Sequence, residues 1–274
     1  MPGNDVRWKV ETKLGRLAQM RRCVGILFWL AWLPNTFLLH AQYDLIIEPK
    51  PPQASSREEL DFYLTILQLR DPAKLIESAA EFSKLYSASE FLSQVHRLEM
   101  RSHQAMDDPQ NTVAACERLL SVRPNDPEAL LTLAKVLPSL KRDRDANLNV
   151  AEKHAQSAMQ EIAALRAPRS MTIKQFEEII RGMQAGVHEA LGMIAFQRGQ
   201  YAQSVSEFEH SIRLHPGEDG RLYYRLGVAC RFTRSRAKAE AALRRATELG
   251  PDAVRSRALG QLAELQGEKP VNGE

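Results

Sequence analysis

LGMIAFQRGQY, residues 191–201, is answered thirty-five residues later by LGVACRFTRSR, residues 226–236. Each stretch writes Leu-Gly and then a small residue three positions after the glycine, Ala195 and Cys230. Each is followed by a proline at the same offset, Pro216 and Pro251. Gly in a helix interior costs about 0.8–1 kcal/mol against Ala. Keeping it twice in one register therefore points to a helix crossing that has no room for a side chain.

Working outward, apolar residues recur at helical spacing from Glu58 onward, and no alternating run is long enough for a strand. Leu60, Leu64 and Leu67 open the body. Asp71-Pro72 caps a helix carrying Leu75, Ala79, Phe82 and Leu85, and Phe91, Val95 and Leu98 mark the next. Val113, Cys116, Leu119 and Leu120 precede a stop at Arg123-Pro124. Leu130, Leu133 and Leu137 follow. After a polar insertion, KRDRDANLN, come Ala151, Ala155, Ala158 and Ile162. Thr172 and Gln175 have capping-box spacing, opening a helix to about Arg198. Segments 205–214, 222–232, 237–249 and 254–265 complete eleven helices.

A period in the mid-thirties built from helix pairs is the signature of a solenoid. The chain resembles the tetratricopeptide repeat family. One unit, 185–216, carries Leu191, Gly192, Tyr201, Phe208 and Pro216 at the family's positions. A second, 220–251, carries Leu226, Gly227, Ala239, Ala246 and Pro251. A third spans 127–158 with Ala134 in the glycine's place, and 58–126 reads as degenerate repeat-like helices. The resemblance implies an all-α fold, a right-handed superhelical α-solenoid of helix–turn–helix repeats. It covers about 58–266, with its most specific residues in 185–251. Gly192 and Gly227 are expected where the second helix of a pair crosses the first, and Tyr201 and Phe208 between neighbouring units. The helix over 252–266 is expected to cap the array, leaving 267–274 as a disordered tail.

The resemblance further implies that a partner lies in the concave groove lined by the first helix of each pair. By register this selects Glu189, Met193, Phe196 and Gln197 in one unit, and Tyr224, Val228, Arg231 and Phe232 in the next. Phe196 and Phe232 fit internal packing equally well. The clamp some relatives use for chaperone tails needs Lys and Asn where Glu189 and Met193 stand, which argues against that subclass. His188 occupies a position where the family often has Trp, so its expected role is packing between helices.

The 274 residues carry a formal net charge of +3. Residues 1–41 hold six basic and two acidic side chains, so the remainder has 31 basic and 32 acidic. This balance gives no reason to expect nucleic-acid binding. Charge is nevertheless polarised, with ten basic and three acidic residues in 220–260. The leader has Arg21 and Arg22, then an unbroken apolar run from Cys23 to Leu33. That layout fits an export signal beginning at Met20 and cleaved near Ala41, or one retained as a membrane anchor. Pro34 interrupts it short of the roughly 20 apolar residues a span needs. Residues 42–57 form a Pro-rich linker. An exported, periplasmic or envelope location follows as an expectation, with membrane association through the N-terminal segment.

Cys116 and Cys230 make neither a disulfide framework nor a metal site and read as small core residues. The seven histidines form no HExxH, and there is no GxSxG, phosphate-binding glycine loop or CxxC. The expected function is a non-catalytic interaction scaffold or adaptor with a protein partner and no cofactor. The alternative is an accessory subunit of a membrane or secretion assembly, docked by its convex face.

Overall fold

A computed structural model of the chain describes residues 51–140, 143–214 and 219–267. All belong to one compact unit, Ile46–Glu274. The leader, residues 42–50 of the linker, Pro216 and residues 268–274 of the tail lie outside the described residues.

The described chain is an α-solenoid: eleven α-helices and one 3-10 turn, with no strand among the described residues. The helices are α1 Arg57–Gln68, α2 Pro72–Leu85, α3 Leu92–Ala105, α4 Pro109–Val122, α5 Pro127–Val136, α6 Arg144–Ala164, α7 Ile173–Gln197, α8 Tyr201–Leu214, α9 Gly220–Phe232, α10 Arg236–Leu249 and α11 Asp252–Gly267. Each packs on the next in the chain, and α5 also meets α7 while α9 meets α11. That pattern makes α3, α5, α7, α9 and α11 the first helices of successive layers, with α4, α6, α8 and α10 the second.

Local chemistry sets the helix starts. Asp71, Asp108 and Asp126 accept backbone N–H bonds from the turns they cap, each followed by Pro at the first helical position. Thr172 and Gln175 close a capping box at α7. Three of the four turns inside the layers share one device. Asp107, Gly199 and Arg234 take φ of 54°, 76° and 58°. In each turn the next residue, Asp108, Gln200 or Ser235, donates its N–H to a carbonyl five residues back, at 3.0, 2.9 and 2.9 Å. This is the Schellman way of ending a helix. Asp143, at φ 52°, introduces α6.

Gly192 and Gly227 lie at helix crossings inside their own layers. A Cβ on Gly192 would stand 2.6 Å from the Phe208 ring of α8, and one on Gly227 would stand 2.6 Å from Leu243 Cγ of α10. Phe208 is fully buried and also joins the core shared with Leu226 and Leu243, so it packs within its layer as well as between layers. Ala134, Ala239 and Ala246 are fully buried at related positions, as are Cys116 and Cys230. A second close approach joins α9 to the end of α10: a Cβ on Gly220 would meet the Gly250 backbone at 2.3 Å.

The structure departs from the sequence reading at three places. Leu60, Leu64 and Leu67 are 38–44% exposed, and α1 instead buries Ile66 and Glu59. No layer precedes α1 among the described residues, and none of them covers its second apolar face. The polar insertion is helical from Arg144, because Leu148 reaches the core at 2% exposure. Gly267, assigned to the tail, ends α11. Helices α6 and α7 run to 21 and 25 residues, their extra turns burying Ala158 and Ile162 on one and Ile179 and Met183 on the other.

Candidate functional site

The first helices α7, α9 and α11 present a run of side chains to one groove. Its floor is apolar: Met193 and Phe196 from α7, Tyr224 and Val228 from α9, and Val254 from α11 enclose about 700 Å³. Phe196, Tyr224 and Val228 continue into an adjoining recess of about 540 Å³, bounded by Phe232 and α11. The helical period puts these residues together, since Met193 and Phe196 are three apart and Tyr224 and Val228 four apart. All five floor residues are partly buried, leaving apolar surface in reach of solvent.

Four of the eight residues selected by register therefore line the groove with carbon: Met193, Phe196, Tyr224 and Val228. The aromatic pair does two jobs. The Phe196 ring meets that of Phe232 edge-on at 5.4 Å, and Tyr201 stacks on Phe232 at 4.4 Å. This cluster joins α7 and α8 to α9, yet leaves Phe232 54% exposed.

The three polar positions are already engaged within the fold. Glu189 accepts Lys135 Nζ of α5 at 2.7 Å and Arg225 Nη1 of α9, so one carboxylate links the first helices of three layers. Burial pushes the Glu189 carboxyl up, but the two cations outweigh it and hold the group below its ordinary value. Gln197 donates to the Pro138 carbonyl at 2.8 Å and accepts from Arg144 at 3.3 Å, tying α7 to the preceding layer. Arg231 donates to Glu264 at 2.6 Å and to Gln261, fastening α9 to α11. The sequence reading gave these three to a partner. Helical register shows which face a side chain occupies, but not which neighbour across the layer it meets.

His188 is bonded through Nδ1 to Glu207 at 2.7 Å and its ring stacks on His210 at 5.3 Å, both within the α7–α8 layer. Three basic lining residues were not selected from the sequence: Arg221, Arg225 and Arg257. The signal for them was present. Arg221 and Arg225 lie one turn before Tyr224 and Val228, and Arg257 lies one turn after Val254, on α11. Carrying the register to that third helix would have found it. Asp107, at the α3–α4 turn, also lines the groove.

Burial raises the thiol pKa of Cys116, with Glu128 and Asp126 adding to the effect, and burial also raises that of Cys230. Such thiols are poor nucleophiles. Among the described residues no three His, Cys, Asp or Glu side chains gather as a metal site. Among them, too, no helix is long and apolar enough to cross a membrane.

The sequence profile of the tetratricopeptide repeat matches residues 220–252, the layer of α9 and α10. No curated protein matches the chain in sequence. Among solved structures, the assembly chaperone of RpL4 (Acl4) is similar with a TM-score of 0.54 at 15% identity, covering 76% of this chain and 84% of its own. TTC0263, a thermophilic tetratricopeptide repeat protein of Thermus thermophilus, is similar with a TM-score of 0.51 at 12% identity. That match covers 75% of this chain and 99% of TTC0263. At these identities the likeness is one of fold.

Proposed function

We propose that this tetratricopeptide repeat protein is a non-catalytic scaffold or adaptor that holds a segment of another protein in the groove of α7, α9 and α11. The observation that carries this reading is the apolar floor. Met193, Tyr224, Val228 and Val254 converge from three helices and remain partly open, while Ala190 and Ile194 of α7, Leu226 and Cys230 of α9 and Ala258 of α11 are buried. Adaptable thioether and aromatic surface of this kind suits an inserted helix or extended segment. The RpL4 assembly chaperone, similar in fold, is by its name a protein that attends another protein. The basic, apolar leader supports an envelope location, with the solenoid exported and the N-terminal segment removed or kept as an anchor.

The test is co-purification with Met193→Ala and Tyr224→Ala combined in the full chain. Truncating two groove residues should lose the partner while the thermal melt stays near that of the wild type. A partner retained at full yield would move the docking site to the convex face, formed by the second helices. Cell fractionation tests the envelope location, which a chain recovered only from the cytosol would overturn, and mass spectrometry of the mature N-terminus tells removal near Ala41 from retention as an anchor.

A further inference from the structure

The groove is apolar along its floor and cationic at one end. Arg221 and Arg225 stand one helical turn apart on α9, and Arg257 faces them from α11, with Asp107 the only carboxylate among the lining residues. Arg225 is held by Glu189. Arg221 and Arg257 are both exposed, and neither has an ion-pair partner among the described residues. Five other cations of this basic segment are matched: Arg231 by Glu264, Lys238 by Glu209, Arg244 by Glu240, Arg245 by Glu248 and Arg255 by Asp252. The positive excess of residues 220–260 is therefore placed in part at the mouth of the groove.

We infer that the occupant is an acidic peptide segment with an apolar anchor, and this rests on the groove reading above. An apolar side chain, of Leu or Phe size, enters between Met193, Tyr224 and Val228. Asp or Glu residues beside it meet Arg221 and Arg257, whose planar forks suit carboxylates. Charge complementarity of this form sets the direction in which the peptide lies and rejects basic segments. A bare anionic surface fits less well, because the floor beside the arginines is thioether, ring and methyl, which gain only from burying carbon.

The experiment is selection of random twelve-residue peptides on the full chain, followed by affinity measurement on Arg221→Glu/Arg257→Glu and on Met193→Ala/Tyr224→Ala. Both arginines are exposed, so the charge-reversed chain should keep the wild-type circular dichroism and melt. The expected result is selected peptides with Asp or Glu flanking an apolar residue, bound at least tenfold more weakly by both variants. Their affinity should also fall as salt is raised. Selected peptides without acidic enrichment, or acidic ones bound equally by the charge-reversed chain, would overturn the inference. If such neutral peptides still need Met193 and Tyr224, the groove reading survives alone. If no selected peptide needs them, both fail. Arginine-dependent binding of phosphatidylglycerol vesicles that a selected peptide does not displace would reassign the cations to a headgroup.

Discussion

The ring of Phe208 occupies the space into which a side chain on Gly192 would project, with ring carbons 2.6 Å from the position of its Cβ. The crossing of α7 and α8 is built on that contact, and Leu243 against Gly227 repeats it one layer on. Gly192→Ala sets a helix-propensity gain of about 1 kcal/mol against an overpacking cost of about 1–3 kcal/mol. Phe208 is fully buried and cannot yield freely, so the variant should melt lower, by about 2–4 °C for each kcal/mol lost. Gly260 of α11 has nothing within 4 Å of its Cβ position, and Gly260→Ala should raise the melt. Equal shifts in the two variants would contradict the crossing.

The repeated turns predict a second contrast. Arg234 takes the left-handed conformation that Gly199 takes in the preceding layer, at φ 58° and 76°. That conformation costs a non-glycine residue about 1–2 kcal/mol. Arg234→Gly should therefore stabilise by a fraction of that amount, because glycine also loosens the unfolded chain. Gly199→Ala, with open space around its Cβ position, should destabilise by about 1 kcal/mol through φ alone. Denaturant melts of the pair check both signs.

Arg97 and Asp126 form a clasp between α3 and α5. Arg97 Nη2 donates to Asp126 Oδ2 at 2.6 Å with both side chains at most 1% exposed. The other carboxylate oxygen caps α5, accepting from the backbone N–H groups of Glu128 and Ala129 at 3.1 and 2.9 Å. Asp126→Ala removes the cap and the closer carboxylate of a buried guanidinium, leaving it Glu128 at 3.4 Å, an expected loss of about 3 kcal/mol. Arg97→Met/Asp126→Asn, which keeps a cap and leaves no buried charge, should recover much of it. A double variant as unstable as Asp126→Ala would contradict this account.

Glu189 gives a pH dependence with a definite sign. Its folded carboxyl titrates below the ordinary 4.5, so its contribution is complete above that pH and is lost as pH falls through the lowered value. Glu99 behaves alike: burial pushes its carboxyl up, but His96 and Arg118 hold it down. Unfolding free energy should decline below about pH 4.5. Glu189→Gln should be less stable at pH 7 and flatten the acid slope, as urea melts from pH 7 to 3 can show.

Much of the architecture is legible in the sequence because it rests on local rules. Asp-Pro pairs start helices, Thr172 with Gln175 closes a cap, and two glycines thirty-five residues apart mark equivalent crossings. Leu60, Leu64 and Leu67 misled because apolar periodicity marks a face without saying whether anything covers it. The groove was legible for its carbon and not for its charge. Met193, Phe196, Tyr224 and Val228 are selected by carrying the family resemblance over in register. The fates of Glu189, Gln197 and Arg231 depend on Lys135, Pro138 and Glu264, which lie between 33 and 59 residues away in sequence.

The claim that α7, α9 and α11 hold the partner is tested most directly by site-specific photocrosslinking from the full chain in its native cell. A photoreactive phenylalanine at Val228 faces the groove, and one at Arg244 stands on the exposed side of α10, 62% open. The account predicts one protein adduct from position 228, abolished by Met193→Ala/Tyr224→Ala, and no such adduct from position 244. An adduct formed from 244 and absent from 228 would contradict it.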